Sequence, residues 1–177
     1  MLLSWFAVQV KYRHEKAVSL ALRGKNHSEF LPLITRSHRS AGRTQQVQVP
    51  LFPTYVFCQF DPANRLPILT TPGVFSIVSA GRNPIPVDEV ELSSIRAALA
   101  AKALLTPTDF IREGLPAVVK NGPLRGVAGI VRRIKSQERL ILSISMLQRS
   151  VAVEIDRDDL EYSTSHLGPG VACGARG

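Results

Sequence analysis

Apolar residues along this chain follow two rhythms, and the rhythm changes near residue 105. In the first part, alternating runs are separated by segments with helical spacing. Residues 4–10, SWFAVQV, are rich in aromatic and β-branched types and predict a strand. In HEKAVSLALRGKN, Ala17, Leu20, Ala21 and Gly24 recur at helical spacing. Glu15 falls in the first turn, where the helix dipole favours a negative charge, and Gly24 marks the end. Residues 28–36, SEFLPLITR, predict a second strand interrupted by Pro32, which suits an edge or a bend. Residues 36–46, RSHRSAGRTQQ, hold no apolar residue except Ala41 and predict a basic loop or hairpin tip.

The run TYVFCQF at 54–60 predicts a third strand, with Tyr55, Phe57 and Gln59 on one face and Val56, Cys58 and Phe60 on the other. Asp61 opens a turn or short helix that Pro67 limits, and GVFSIVS at 73–79 predicts a fourth strand. Asp88 can cap a helix running to about Leu104, with Val90, Ile95, Ala98, Leu99 and Lys102 on mixed faces. This order predicts an α+β sheet with helices on it. Residues 105–110, LTPTDF, are the best linker, and after them short β-rich runs (VVK, VAGIVRRI, RLILSIS, VAVEI) predict a small all-β barrel. The tail SHLGPGVACGARG has little to pack and is expected to be disordered.

Charge adds a partner class. The net charge is +8, which predicts attraction to a polyanion. Residues 1–105 carry twelve Lys and Arg against six acids, and the remainder ten against eight, so the first part is the better candidate. The two cysteines form no Cys-x-x-Cys pair and sit in no cluster with metal-ligand spacing. Cys58 is expected to be a buried thiol and Cys173 lies in the tail, which fits a reducing cytosol. The opening MLLSWFAVQV lacks a basic start and a cleavage site, and its apolar run stops at Lys11, too short for a membrane span. His14, His27, His38 and His166 fit no nucleophile–base–orienter set, so an enzyme is not expected, nor a metal or cofactor.

The motifs SWFAVQVKYRHEKAV, VPLFPTYVFCQFDP, TTPGVFSIV and NPIPVDEV, followed by LPAVVKNGPLRGVAGIV and MLQRSVAVEI, resemble the NusG family of transcription elongation factors. The resemblance spans about residues 4–162 and is nearest to the specialised branch typified by RfaH and UpxY. It implies an NGN-like domain at 1–105, a linker at 106–110, a KOW (SH3-like) β-barrel at 111–163 and a tail at 164–177. It further implies a factor that binds the clamp helices of RNA polymerase and suppresses pausing or termination, and the chain is expected to be cytoplasmic and monomeric with no membrane partner. Rho or a small-subunit ribosomal protein would meet the KOW domain. By family position Phe52, Tyr55 and Phe57 fall on the polymerase contact, with Trp5 supporting the sheet, the rings being exposed in a concave patch stiffened by Pro50 and Pro53. Core packing is the competing role for these rings.

Lys11, Arg13, Lys16 and Arg23 lie at the end of the first strand and along the first helix, where they could meet phosphates of non-template or upstream DNA. Lys11 matches the family position of a Lys that meets non-template DNA. Arg36, Arg39 and Arg43 could touch upstream DNA in the same way. Solvated faces are the alternative for both sets. The branch's His-Thr-Thr stretch, which meets a gate loop, is replaced here by Asn64-Arg65-Leu66, and Pro72 replaces a DNA-touching arginine, which puts the gate-loop contact and recognition of the same DNA element in doubt. RfaH can refold its KOW domain into a helical hairpin. Here Gly126 and Gly129 would weaken such a helix by roughly 1 kcal/mol each relative to Ala, which predicts a stable barrel. A ribosome-associated KOW RNA-binding protein is the alternative function; it leaves PLFPTYVF unused.

Overall fold

The computed structural model describes residues 3–40, 42–108, 114–134 and 137–162. In chain order the elements of the first part are β1 (Ser4–Val10), α1 (Glu15–Gly24), β2 (Ser28–Phe30), β3 (Leu33–Ser40), β4 (Arg43–Pro50), β5 (Tyr55–Phe60), α2 (Leu66–Leu69), β6 (Val74–Ile77), β7 (Ser79–Ala80), β8 (Asn83–Pro84) and α3 (Glu89–Ala100). The second part holds β9 (Leu105–Thr108), β10 (Leu115–Val119), β11 (Ala128–Ile134), β12 (Gln137–Ile144), β13 (Arg149–Glu154) and β14 (Leu160–Tyr162).

Strands β2, β5, β1 and β6 form an antiparallel sheet in that order. The pairing Ala7↔Phe57 and Phe6↔Cys58 sorts the alternating residues onto two faces. One face, with Phe6, Val8, Val56, Cys58 and Phe60, shares a core with Val18 and Leu22 of α1 and Ile68 of α2. The other, with Trp5, Ala7 and Phe57, shares a core with Leu92, Ile95 and Ala98 of α3. Asp88 caps α3 as expected, accepting from the Val90 N–H at 2.8 Å, although the helix ends at Ala100 rather than Leu104.

The inward face of α1 differs from the expected one. Glu15, Val18, Ser19 and Leu22 point inward, and Leu20 is 68 % exposed. This row also has helical spacing, and its bulky Val18 and Leu22 fill the core better than the small Ala17 and Ala21. Glu15 is tolerated inside because its Oε1 accepts the Thr54 N–H at 2.9 Å.

Pro32 separates β2 from β3, as its missing N–H suggests. The segment expected to be a basic loop is a ribbon: β3 and β4 pair without interruption from Leu33↔Pro50 to Ser40↔Arg43. Most of its side chains are exposed on both faces, so no apolar alternation marks it.

Part of the expected linker is also ordered differently. Leu105–Thr108 is strand β9, paired with β13 at the edge of a six-stranded antiparallel sheet of order β14-β10-β11-β12-β13-β9. Pro107 fits there because an edge strand can lack one donor. Residues 109–113 and the tail from 163 lie outside the described residues. The glycines weighed against a helix have separate roles. Gly126 adopts φ +85°, a left-handed backbone conformation. A Cβ on Gly129 would come within 2.6 Å of the Ile141 carbonyl oxygen.

The two sheets share one continuous core, which joins Trp5, Phe57 and Ile95 to Val119, Leu140 and Val151. A polar tie reinforces it: the Ser145 hydroxyl donates to Glu91 Oε1 at 2.6 Å, and the Ser145 N–H reaches both carboxylate oxygens at 3.2 Å.

Candidate functional site

The segment Pro50–Tyr55 joins the ribbon to the central strand β5. Its backbone is held at three points. The Leu51 N–H donates to the Pro32 carbonyl at 2.8 Å, the Val10 N–H donates to the Thr54 carbonyl at 2.8 Å, and the Thr54 N–H reaches buried Glu15. Thr54 itself has φ +68°, rare for a residue with a Cβ, and the Glu15 bond helps hold it there.

These bonds fix where the nominated aromatics go, and three of the four go inward. Phe57 is 0 %, Phe52 3 % and Trp5 8 % exposed, while Tyr55 is half-buried. The expected open patch of rings is therefore corrected to a core with a rim. Phe57 meets Phe52 edge-on with centroids 6.0 Å apart and lies near Phe30 at 6.1 Å. The register explains the burial, since Phe57 faces Ala7 at the sheet centre, beneath α3. Tyr55, at the start of β5 opposite half-buried Gln9, packs against the margin of this core and stays partly exposed, and Pro53 beside it is exposed.

Arg96 was not foreseen. Its guanidinium lies 4.3 Å from the Trp5 ring centre and 4.7 Å from that of Phe30, so it joins α3 to the sheet by two cation–π contacts. Burial pushes its pKa down, against an opposing pull from Glu89. A lone Arg on an amphipathic helix gives no sequence sign of such a role.

The basic residues do not form one surface. Arg23 is spoken for: its Nε–H donates to Glu29 Oε1 at 3.0 Å and a second guanidinium N–H meets the same oxygen, so of the two basic residues nominated on α1, Lys16 and Arg23, one is already paired. On the ribbon, the register puts Arg36, His38 and Arg43 on one face and Arg39 on the other. Lys11 is exposed, its own N–H donating to the Gly73 carbonyl at 2.9 Å. Arg13, Lys16 and Arg36 do converge, on a cleft of about 650 Å³ bounded by the start of α1, the ribbon, Pro50–Pro53 and strands β9 and β13. The second sheet adds Arg149 to it, a residue the sequence did not single out. The Lys16 ammonium donates to the Gln48 carbonyl at 3.0 Å on its wall.

Elsewhere, Arg65 of the Asn64-Arg65-Leu66 stretch donates to the Arg82 carbonyl at 2.7 Å. A second groove, of about 640 Å³, lies on the far sheet beside Asn121–Leu124, with Asp156 and Asp159 on its wall. Cys58 is buried as expected, and burial, aided by Glu29, pushes its thiol up to about 12. Among the described residues no three His, Cys, Asp or Glu side chains could hold a metal ion, and no helix is long and apolar enough to cross a membrane.

Comparison with known proteins agrees with this architecture. Residues 3–96 match the family model of NusG, described as transcription termination factor nusG. A transcription termination/antitermination protein NusG from Thermus thermophilus is 27 % identical, covering 88 % of this chain and 96 % of its own. The protein of the same name from Borreliella burgdorferi is 24 % identical, over 89 % of this chain and 97 % of its own. Among solved structures, one describing domain interaction in Thermotoga maritima NusG aligns with a TM-score of 0.53 at 19 % identity, over 91 % of this chain and 97 % of that one, a likeness of fold. With a family match across both faces of the first sheet and relatives aligned along most of its length, this chain belongs to the NusG family of transcription termination and antitermination factors.

Proposed function

We propose that this protein binds RNA polymerase through its first sheet and, from there, suppresses pausing or termination. The observation that carries the reading is Tyr55: of the four nominated rings it alone stays half-exposed, beside exposed Pro53, on a backbone pinned by Glu15. A rigid aromatic at a sheet rim gives a helical partner a large contact for little lost entropy. Phe52, Phe57 and Trp5 serve the same contact indirectly, as the packed platform under Tyr55. The clamp helices are the polymerase element that such a rim suits.

Lys11, Arg13, Lys16 and Arg36, all exposed, are the residues for non-template or upstream DNA in this reading, with Arg39 and Arg43 as outer contacts of the ribbon. Arg23 contributes less because Glu29 already pairs with it. Assignment to the specialised branch rests on VPLFPTYVFCQFDP, and the KOW identity of the second sheet on LPAVVKNGPLRGVAGIV. The groove beside Asn121–Leu124, with Asp156 and Asp159, suits a cationic partner surface, as on Rho or a ribosomal protein. The ribosome-associated alternative uses only the second sheet, whereas the family match falls on residues 3–96.

The test is single-round transcription with purified polymerase on a template carrying a pause site and a terminator. Addition of the protein shortens the pause or raises read-through, and Tyr55→Ala removes the effect. An unchanged transcript pattern at saturating protein would sink the reading.

A further inference from the structure

The cleft between the two sheets has a chemistry that neither sheet has alone. Its rim carries Arg13, Lys16 and Arg36 from the first part and Arg149 from the second. Among the described residues no carboxylate pairs with Arg13, Arg36 or Arg149, and the one acid on the wall, Glu15, already accepts the Thr54 N–H. Its lining also holds the apolar Val49, Phe52, Pro53 and Pro107. Tyr12, 69 % exposed, stands at the edge with the Arg13 guanidinium 5.4 Å from its ring centre.

We infer that this cleft is a composite binding site for single-stranded nucleic acid, completed by Arg149 of the second sheet. The inference deepens the nucleic-acid reading above and rests on it. Positive groups attract phosphates, and an aromatic ring beside apolar lining accepts an unpaired base. A duplex keeps its bases stacked inside and would use the charges but not the apolar lining. An acidic peptide would likewise use only the charges. The volume, about 650 Å³, suits one or two bases while the strand runs on past the four cationic groups, and leaves no room for a helix of paired strands. Because β9 and β13 supply one wall, occupancy also favours the docked arrangement of the two sheets over any in which they separate.

The experiment uses the full chain and a fluorescein-labelled single-stranded DNA of mixed sequence, followed by anisotropy across a salt series. Its duplex counterpart and polyglutamate serve as competitors. Four phosphate contacts on a single strand give a slope of log K against log salt of about −2.8, so affinity falls about fiftyfold from about 50 to 200 mM salt. Arg149→Ala and, independently, Arg36→Ala each bring the slope to about −2.1, or about a twentyfold fall over the same range. Arg125→Ala, which removes the same charge outside the cleft, leaves the slope at the wild-type value. Tyr12→Ala weakens single-strand binding without changing the slope.

Any of three results overturns the inference: no single-strand binding, Arg149→Ala indistinguishable from Arg125→Ala, or displacement by duplex or polyglutamate as effective as by single strand. Polymerase binding measured in parallel separates the two readings. If it persists while the single strand fails to bind, only the cleft is refuted.

Discussion

Replacing Phe57 by alanine separates the core role of the aromatics from a contact role. Phe57 has no exposed surface, and its ring sits against Phe52 at 6.0 Å and Phe30 at 6.1 Å between centroids. Truncating a fully buried phenylalanine costs about 3–5 kcal/mol, the lost transfer energy plus the cavity left behind. The two ring pairs supply about 1–3 kcal/mol of that, at roughly 0.5–1.5 each. Against a total stability of about 5–15 kcal/mol, the variant moves visibly toward unfolding at ordinary temperature. Tyr55→Ala removes a ring that is only half-buried, and about 1–2 kcal/mol is expected. Urea unfolding followed by Trp5 fluorescence measures both, since Trp5 is the only tryptophan and is buried under Arg96. The midpoint falls sharply for Phe57→Ala and modestly for Tyr55→Ala, with the slope of free energy against urea unchanged. A Phe57→Ala variant within about 1 kcal/mol of wild type refutes the core assignment. A Tyr55→Ala variant as damaged as Phe57→Ala refutes the rim.

Gly129→Ala drives a methyl against the Ile141 carbonyl, and a loss of about 1–3 kcal/mol is expected, read as a lower thermal midpoint. For Cys58 burial holds the thiol proton up to about 12, above the 9.0 of a free thiol. Above pH 9 the unfolded thiol ionises while the folded one does not, so stability falls as pH rises through that window, by up to about 1.4 kcal/mol per unit. In a Cys173→Ser background, Cys58→Ala flattens this dependence, which unfolding curves at graded pH would register. Glu91→Ala removes the acceptor of the Ser145 bonds, and a loss of about 1 kcal/mol is expected, with faster hydrogen exchange at the Ser145 amide.

What the sequence revealed follows from where alternation meets burial. Strands β1, β5 and β6 and the Asp88 cap were legible because one face of each strand is apolar and a carboxylate stood at the right offset. The ribbon was not, because residues exposed on both faces leave no alternation to find. The expected exposure of Phe52 and Phe57 failed for a related reason: the run TYVFCQF says which residues share a face, but not that α3 lies over that face. Strand β9 was hidden by Pro107, which reads as a breaker until the strand proves to be an edge. The cleft was half legible. Arg13, Lys16 and Arg36 stood out by charge, whereas Arg149 reaches them only through the pairing of β13 with β9 and the shared core.

The most direct test of the central claim is the affinity of purified RNA polymerase for this protein, measured by interferometry for wild type and Tyr55→Ala. Saturable binding by wild type, weakened at least about tenfold in the variant while its fold persists, is the predicted result, equivalent to about 1.4 kcal/mol at the contact. Equal affinity for both proteins, or no binding by either, would contradict it.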